Sequence, residues 1–210
     1  MTNKILVVIP CRAGSKRFPG KNMAPIRGMP LAMNTCVIAL ESLGETADIV
    51  VSSDDDSVLD MCVANNISIY ERIPELATDD ATSEDVVMDV LNHYQYLNEF
   101  NDQYEHVILM QVTSPLLDPG RLATAMDQYL EQDLPSMVAV NPAYQPCGAF
   151  YIVKTELFRA NPSWYQPKGG IFMLPWEQCL DVDYQFQLQI AEVIAQKRVF
   201  GSENTCSCSH

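Results

Sequence analysis

The sequence predicts an α/β fold built on a mostly parallel central sheet flanked by helices. Short apolar runs rich in β-branched residues alternate with longer helix-like segments, which indicates repeated strand–helix–strand units. Parallel strands joined in this way are covered on both faces of the sheet. With 210 residues, of which 48% are apolar and 19% charged, the chain suits a domain with a full hydrophobic core. We expect that domain over residues 1–197, followed by a disordered tail over 198–210 that has no apolar period.

Local signals place the individual elements. Pro30 suits the first turn of the first helix, and acidic residues open the second helix, as the helix dipole prefers. Thr82 and Asp85 form a capping box at the start of the third helix. The predicted strands cover residues 5–9, 48–52, 67–70, 106–111, 136–140, 148–153 and 170–174. The predicted helices cover residues 31–43, 55–64, 83–97, 119–131 and 184–197.

The pattern changes after Val140. The strands at 148–153 and 170–174 have little predicted regular structure between them. We therefore expect an antiparallel element in this part of the sheet.

Composition excludes several classes of protein. The net charge of −14 argues against nucleic-acid binding, which requires a basic face. No stretch reaches the roughly 18 uninterrupted apolar residues that a membrane span needs. The N-terminal apolar run is short and leads into a basic loop rather than a cleavage site, so we expect a cytoplasmic protein. The seven scattered cysteines are typical of reduced core thiols rather than of a disulfide framework.

Positive charge is concentrated in the loop after the first strand. Six of the thirteen Lys and Arg residues lie in the first 27 positions, so an acidic protein gathers its cations in one place. In the segment PCRAGSKRFPGKN, the glycines permit close backbone approach, Ser15 supplies a hydroxyl, and Arg12, Lys16 and Lys21 supply charge. This combination predicts a phosphate cradle, distinct from the Walker and GxGxxG patterns. The alternative is a basic surface turn without function.

Three further loops carry polar side chains, each with a simpler structural interpretation. The segment SSDDD after the second strand needs no ligand, because helix capping alone explains it. The hydroxyl-rich turn VTSP suits hydrogen bonds to a nucleotide or sugar, or is only a turn. Asp181 and Asp183 point to the same side of an extended segment and can share one Mg²⁺, while helix capping by Asp183 explains the pattern equally well.

Taken together, these segments resemble those of the acylneuraminate cytidylyltransferase (CMP-sialic acid synthetase) family, and the chain looks like a shortened member of it. PCRAGSKRFPGKN is similar to the family's P-A-R-G-G-S-K-x-x-P-x-K-N, and QVTSPLL is similar to Q-P-T-S-P-L-R. SSDDDSV, PELATDDATSEDVV, CGAFYIV and CLDVD resemble further family segments in the same order over roughly residues 4–197. The resemblance implies a nucleotide-diphospho-sugar transferase-like, Rossmann-like fold. It also implies CTP and an acidic sugar as substrates, and Mg²⁺ as cofactor.

The same resemblance assigns roles to individual residues. The residues expected to bind CTP are Arg12, Gly14, Ser15, Lys16, Lys21, Asn22 and Ser83. Those expected to bind the sugar are Gln111, Thr113, Ser114 and Tyr165, and those expected to bind Mg²⁺ are Asp181 and Asp183. The implied reaction is in-line attack of the anomeric hydroxyl on the α-phosphate, with Arg12, Lys16, Lys21 and Asp183 as catalytic residues. Asp183, acting through a metal-bound water, is one candidate for the general base.

Two aromatic residues near the expected sugar site have two interpretations. Trp164 and Tyr165 follow the CGAFYIV segment, where relatives carry aromatics that line the sugar site. Core packing explains such large side chains equally well.

The chain departs from the family pattern at the acceptor end. Val112, Leu117 and Cys147 replace the expected proline, arginine and asparagine. Between Val140 and Gly148, relatives insert a long excursion that binds the sugar carboxylate and forms much of the dimer contact, and this chain lacks it. A homodimer is therefore expected only through another face, and the acceptor site should be shallow and relaxed in its choice of acidic sugar.

These departures keep two alternatives open. The first is a catalytically impaired nucleotide-binding protein of the same fold. The second is a transferase that uses another sugar acid, such as an octulosonate, or another nucleotide. The tail pattern Cys206-x-Cys208-x-His210 could hold a metal, but three ligands on a frayed end are more often incidental.

Overall fold

In a computed structural model of the protein, residues 4–97 and 104–202 are described. The strands are β1 (Ile5–Cys11), β2 (Pro25–Ile26), β3 (Met29–Pro30), β4 (Ala47–Ser53), β5 (Ser68–Glu71), β6 (His106–Met110), β7 (Ser136–Val140), β8 (Pro146–Lys154) and β9 (Gly170–Met173). The α-helices are α1 (Leu31–Leu43), α2 (Asp56–Ala64), α3 (Ser83–Leu97), α4 (Pro119–Glu131), α5 (Thr155–Ala160) and α6 (Gln185–Ser202). Short 3₁₀ turns lie at Lys21–Met23, Gly44–Thr46, Pro74–Leu76 and Trp176–Cys179.

Seven strands form one sheet in the order β5-β4-β1-β6-β8-β7-β9. The pairs β5–β4, β4–β1, β1–β6 and β7–β9 are parallel, and β8 runs antiparallel to both of its neighbours. This arrangement confirms the mostly parallel sheet and the antiparallel element predicted after Val140. The two-residue strands β2 and β3 form a separate small hairpin that sequence patterns did not predict.

The core lies on both faces of the sheet. Along β1, Ile5, Val7 and Ile9 belong to a cluster that packs against α1, α2 and α4. The intervening Leu6 and Val8 belong to a second cluster, with residues of α3 and α5. Because successive side chains of a strand point to opposite faces, the continuous apolar run of β1 is what a strand covered on both sides requires.

Predicted helix starts are largely confirmed in atomic detail. At the start of α3, the Thr82 hydroxyl accepts a hydrogen bond from the Asp85 amide at 3.1 Å. The Asp85 carboxylate in turn accepts from the Thr82 amide at 3.1 Å, which completes the capping box. The Asp55 carboxylate caps α2 by accepting from the Ser57 amide at 3.0 Å, so α2 begins one residue later than predicted.

The last helix is longer than the sequence pattern indicates. α6 runs from Gln185 to Ser202, five residues beyond the predicted end at 197. Residues 203–210, including the Cys206-x-Cys208-x-His210 pattern, lie outside the described residues. Among the described helices, α6 included, none is both long and apolar enough to cross a bilayer.

The parallel strands determine where the loops meet. β1, β4 and β6 are neighbours and run in the same direction, so the loops that follow them gather at one edge of the sheet. Ligands of open α/β sheets bind at this edge. The cationic loop, the SSDDD segment and the VTSP turn all lie there.

Candidate active site

A cavity of about 630 Å³ opens at the carboxyl ends of β1 and β6. Among the residues predicted from the sequence, those that line it are Arg12, Ser15, Lys16, Lys21, Asn22, Ser83, Gln111, Thr113, Asp181 and Asp183. The fold therefore brings together residues from four separate parts of the chain. Gly14 lies exposed in the same loop but is not among the lining residues in the described part of the chain, and neither are Ser114 and Tyr165.

The cationic loop is held by the strand next to β1. The Asp54 carboxylate accepts a hydrogen bond from the Ala13 amide at 2.9 Å, and the Ser53 hydroxyl donates to the Cys11 carbonyl at 2.6 Å. Asn22 is buried, and its side-chain amide donates to the Arg12 carbonyl at 2.9 Å. The SSDDD segment therefore anchors the loop in addition to capping α2, a role that sequence patterns missed.

Carboxylates face the loop cations from across the cavity. Asp79 pairs with Arg12 at 2.6 Å and also with Lys16. Asp183 pairs with Arg17 at 2.6 Å and with Lys21 at 3.3 Å. Hydrogen bonds from Lys16 and Arg12 hold the pKa of Asp79 below its ordinary value, so this carboxyl is ionised at neutral pH. Arg17 and Asp79 were not predicted as site residues.

Arg72 is a buried cation in the cavity wall. It is 6% exposed, and its guanidinium donates to the Ser52 hydroxyl at 3.2 Å and to the Ser52 carbonyl at 2.8 Å. Burial lowers its pKa, although an arginine stays charged at any physiological pH. Ser52 supplies only neutral oxygens, and the nearby Asp54 carboxylate offsets part of the Arg72 charge. Arg72 still lines the cavity and therefore adds to its attraction for anions. Its isolation in a stretch of sequence otherwise poor in cations was the signal that could have identified it.

Asp181 and Asp183 lie side by side at the cavity, in front of α6. Val182 between them is buried, and its amide donates to the Thr113 carbonyl at 2.8 Å. The Gln187 side-chain oxygen accepts from the amides of Asp183 and Tyr184, both at 2.8 Å. The Asp183 carboxylate instead contacts Arg17 and Lys21, so the geometry favours the interpretation of Asp183 as a site residue over helix capping.

The electrostatics of Asp181 fit a site for a divalent cation. The surrounding cavity walls raise the pKa of its carboxyl by desolvation, and the neighbouring Asp183 carboxylate raises it further. The two neighbouring carboxylates repel one another, and a bound cation would relieve that repulsion. Mg²⁺ suits such a pair, because it takes oxygen ligands and completes its coordination shell with water and substrate phosphate. Thr113 opposes the shift through a hydrogen bond to Asp181, as do the charges of Lys21 and Arg17.

Replacement of Asp181 by asparagine is expected to stabilise the empty protein at neutral pH. A carboxyl with a raised folded-state pKa stabilises the fold at low pH, and that contribution is lost as the pH rises through the folded pKa. The gain in Tm of Asp181→Asn should therefore be small near pH 3.5 and reach a plateau above the raised pKa. Thermal unfolding at a series of pH values measures it. Asp127→Asn, on the exposed face of α4, is the control, and an equal gain in both variants would contradict the assignment.

Two of the residues expected to bind the acceptor sugar, Gln111 and Ser114, lie next to Gly148. Gln111 and Thr113 line the cavity, whereas Ser114 is 3% exposed and its hydroxyl has no hydrogen-bond partner among the described residues. Gly148 has a φ of +78°, and a Cβ there would lie 2.6 Å from the Gln111 side-chain oxygen. The strand β8 thus approaches Gln111 so closely that only glycine leaves room for this side-chain position.

The structure separates the two aromatic residues Trp164 and Tyr165. Trp164 is 2% exposed and packs on Phe158 with ring centroids 4.6 Å apart, which supports the core interpretation. Its indole N–H donates to the Ser83 hydroxyl at 3.1 Å, so the core tryptophan orients a cavity residue. Tyr165 is 58% exposed and stacks edge-on against Tyr151, outside the cavity lining.

Replacement of Tyr165 by alanine is expected to leave nucleotide affinity unchanged, because its side chain does not reach the cavity. KM for the sugar should also stay unchanged, and a selective rise in it would show that the bound sugar extends beyond the cavity to Tyr165. Steady-state kinetics with both substrates varied distinguish the two results. A weaker nucleotide affinity would contradict the position of this side chain.

The chain is similar to known cytidylyltransferases. Residues 6–161 match the family model described as cytidylyltransferase. The chain is 30% identical to the N-acylneuraminate cytidylyltransferase of Streptococcus agalactiae serotype III (strain NEM316), over 86% of this chain and 50% of that protein. It is 29% identical to the CMP-N,N'-diacetyllegionaminic acid synthase of Legionella pneumophila, over 92% of this chain and 97% of that protein.

Solved structures share the fold. A structure described as CMP:2-keto-3-deoxy-manno-octonic acid synthetase complexed with CTP superposes with a TM-score of 0.73, at 15% identity, over 93% of this chain and 99% of that chain. A cytidylyltransferase from Leptospira borgpetersenii gives a TM-score of 0.65 at 13% identity, over 100% of both chains. At these identities the likeness confirms the expected fold. The chain spans about half the length of the Streptococcus relative, with 50% of that protein covered.

Proposed function

The chain belongs to the cytidylyltransferase family, and from this membership we propose that it transfers CMP from CTP to an acidic 2-keto-3-deoxy sugar of the nonulosonate type. The attacking group is the anomeric hydroxyl of the sugar. A bond forms between that oxygen and the α-phosphorus, and the bond from the α-phosphorus to the oxygen that bridges to the β-phosphate breaks. Pyrophosphate leaves, and the hydroxyl proton passes to a general base. The relatives named for N-acylneuraminate and diacetyllegionaminic acid support this class of acceptor.

One observation carries the proposal. The cations Arg12, Lys16, Arg17 and Lys21 all line one cavity. Each of them forms an ion pair with a carboxylate of the cavity, either Asp79 or Asp183. Cations arranged in this way can bind the phosphates of CTP through charge-assisted hydrogen bonds. Their charges oppose the negative charge that grows on the leaving pyrophosphate, which is the main task of a protein in phosphoryl-type transfer.

The acidic pair completes the cavity on the side of α6. We propose that Asp181 and Asp183 hold Mg²⁺, which would neutralise phosphate charge during the reaction. Asp183 would then exchange Arg17 and Lys21 for the cation, and those two side chains would become available to phosphate. Ser83 and Asn22 keep the cavity walls in place through their contacts with Trp164 and the Arg12 carbonyl.

Only a short connection lies at the part of the cavity proposed to bind the acceptor sugar. β7 and β8 are joined by a tight turn in which the Asn141 side-chain oxygen accepts from the amides of Ala143 and Gln145 at 2.9 and 3.1 Å. Such a turn covers little of the cavity, so we propose a shallow acceptor site that accepts more than one acidic sugar. We also propose a cytoplasmic location, and that any homodimer forms through a surface other than this turn.

The proposal is tested by pyrophosphate release from CTP with a panel of sialic, legionaminic, pseudaminic and octulosonic acids. Turnover with at least one nonulosonate and loss of turnover in excess EDTA are expected. CTP binding without turnover on any of these sugars would favour a nucleotide-binding protein without catalysis. Activity with another nucleoside triphosphate in place of CTP would contradict the assigned donor.

Metal dependence has its own test in Asp183→Asn, which should lose most of its turnover because a carboxamide is a weaker ligand for Mg²⁺ than a carboxylate. Titration of Mg²⁺ should show saturation shifted to higher concentration in the variant. Turnover that is unchanged, or that survives EDTA in the unaltered protein, would rule out the magnesium site. Asp127→Asn serves as the control for the loss of one negative charge.

A further inference from the structure

Asp79 forms ion pairs with Arg12 and Lys16, two of the cations that are proposed to bind the phosphates of CTP. It lies between the 3₁₀ turn Pro74–Leu76 and α3, in a segment that lines the cavity with Ala81, Thr82 and Ser83. Its two carboxylate oxygens contact different partners, Oδ1 the Arg12 guanidinium and Oδ2 the Lys16 ammonium. An anion already sits where a phosphate would be expected.

A carboxylate and a phosphate use the same donors in the same way. Arginine binds both through charge-assisted hydrogen bonds, and lysine acts toward both as a point charge. A phosphate on Arg12 and Lys16 would bring its oxygens into contact with those of Asp79, and like charges at that distance repel. Asp79 and a phosphate on these two cations therefore exclude one another.

The ion pairs of Asp79 are weak enough for another anion to replace them, and they contribute little to the stability of the fold. Its side chain is 45% exposed, and the Lys16 side chain is 80% exposed, so water screens both ion pairs. Exposed pairs of this kind contribute little to stability. A polyphosphate, which carries several charges and can contact further cations of the loop, can replace Asp79, whereas a singly charged anion gains less from the exchange.

Asp79 differs in this respect from Asp183, which also pairs with loop cations. Asp183 has Asp181 beside it and is proposed to take Mg²⁺ when the cations leave. Within residues 4–97 and 104–202 no three His, Cys, Asp or Glu side chains form a metal-binding group, so Asp79 does not join that pair. Once displaced, Asp79 therefore remains a competitor for Arg12 and Lys16.

We propose that Asp79 is a built-in competitor at the phosphate site, which a polyphosphate must displace to bind and which promotes the departure of pyrophosphate after transfer. This inference rests on the proposed function. Asp79 acts on binding and release through Arg12 and Lys16, without contact to the reacting atoms or to the pair Asp181 and Asp183. It is a specificity-determining residue, because it disfavours weak anions more than polyphosphates.

The test compares Asp79→Asn with Asp80→Asn in the full chain. Asparagine keeps the size of the side chain and removes the charge, and Asp80 supplies the same charge change one residue away without contacting Arg12 or Lys16. Isothermal titration with inorganic pyrophosphate, and separately with CTP and Mg²⁺, gives Kd for each variant. Inhibition of turnover by added pyrophosphate gives its inhibition constant.

For Asp79→Asn we expect Kd for pyrophosphate to fall about threefold to tenfold, the range that the loss of two exposed ion pairs allows. The inhibition constant of pyrophosphate should fall in parallel, and Asp80→Asn should change both by less than half as much. Equal changes in both variants, or weaker pyrophosphate binding in Asp79→Asn, would overturn the inference. A wild-type protein that does not bind CTP would instead overturn the proposed function, so the two failures are distinguishable.

Discussion

Replacement of Arg12 by alanine is expected to weaken CTP binding by about 2–3 kcal/mol, which corresponds to a rise in Kd of roughly 30- to 150-fold. A guanidinium is the most directional kind of donor in the loop, and a charge-assisted bond to phosphate is among the stronger hydrogen bonds. The backbone carbonyl of Arg12, which holds Asn22, is unaffected by the substitution. The fold should therefore remain intact, with Tm close to that of the unaltered protein.

Isothermal titration with CTP and Mg²⁺ measures the effect. Arg121→Ala is the matched control, because Arg121 is exposed on α4 and does not line the cavity. It removes the same charge from the protein without removing a phosphate ligand, so its Kd should change by less than about twofold. Unaltered CTP affinity in Arg12→Ala would contradict the phosphate cradle itself.

Replacement of Gly148 by alanine is expected to lower kcat/KM for the sugar by about 10- to 100-fold while sparing CTP affinity. The new Cβ would lie 2.6 Å from the Gln111 side-chain oxygen, and only movement of that side chain relieves the contact. Gln111 would then leave the position from which it faces the cavity. The positive φ of Gly148 adds backbone strain of about 1 kcal/mol, which should lower Tm modestly.

Two controls separate strain from the displacement of Gln111. Gly28 has nearly the same φ, +77°, with nothing within 4 Å of its Cβ position, so Gly28→Ala tests strain alone. In a Gln111→Ala background the contact is absent, so Gly148→Ala should cost little further activity. A full additional loss in that background would show that Gly148 acts by a route other than Gln111.

The sequence allowed the order of elements and most of the cavity lining to be predicted. α1, α3, α4 and β7 begin and end at the predicted residues, because proline, a capping box and buried apolar runs mark them locally. The predicted site residues of four loops meet because parallel strands deliver their carboxyl ends to one edge. The remaining strands differ at their ends by a residue or two. β1, for example, continues through Pro10 and Cys11, because both pair with residues of β4.

Other features depend on contacts between distant parts of the chain. The partner of Arg12 is Asp79, which lies 67 positions away in a segment without a strand or helix signal. Trp164 reaches Ser83 over 81 positions, and nothing local distinguishes it from Tyr165, which points outward. The hairpin of β2 and β3 has only two residues in each strand, too few for a periodic pattern.

The central position of β8 in the sheet has a consequence for how the protein folds during its synthesis on the ribosome. β6 pairs only with β1 until β8 emerges, because β8 separates it from β7 in the sheet. β7 in turn pairs only with β8 and β9, both of which are synthesised after it. The nascent chain therefore carries an unpaired edge on β6, whose last four residues are apolar, until residue 154 has left the exit tunnel. Insertion of β8 closes that edge and joins the two parts of the sheet in a single late step.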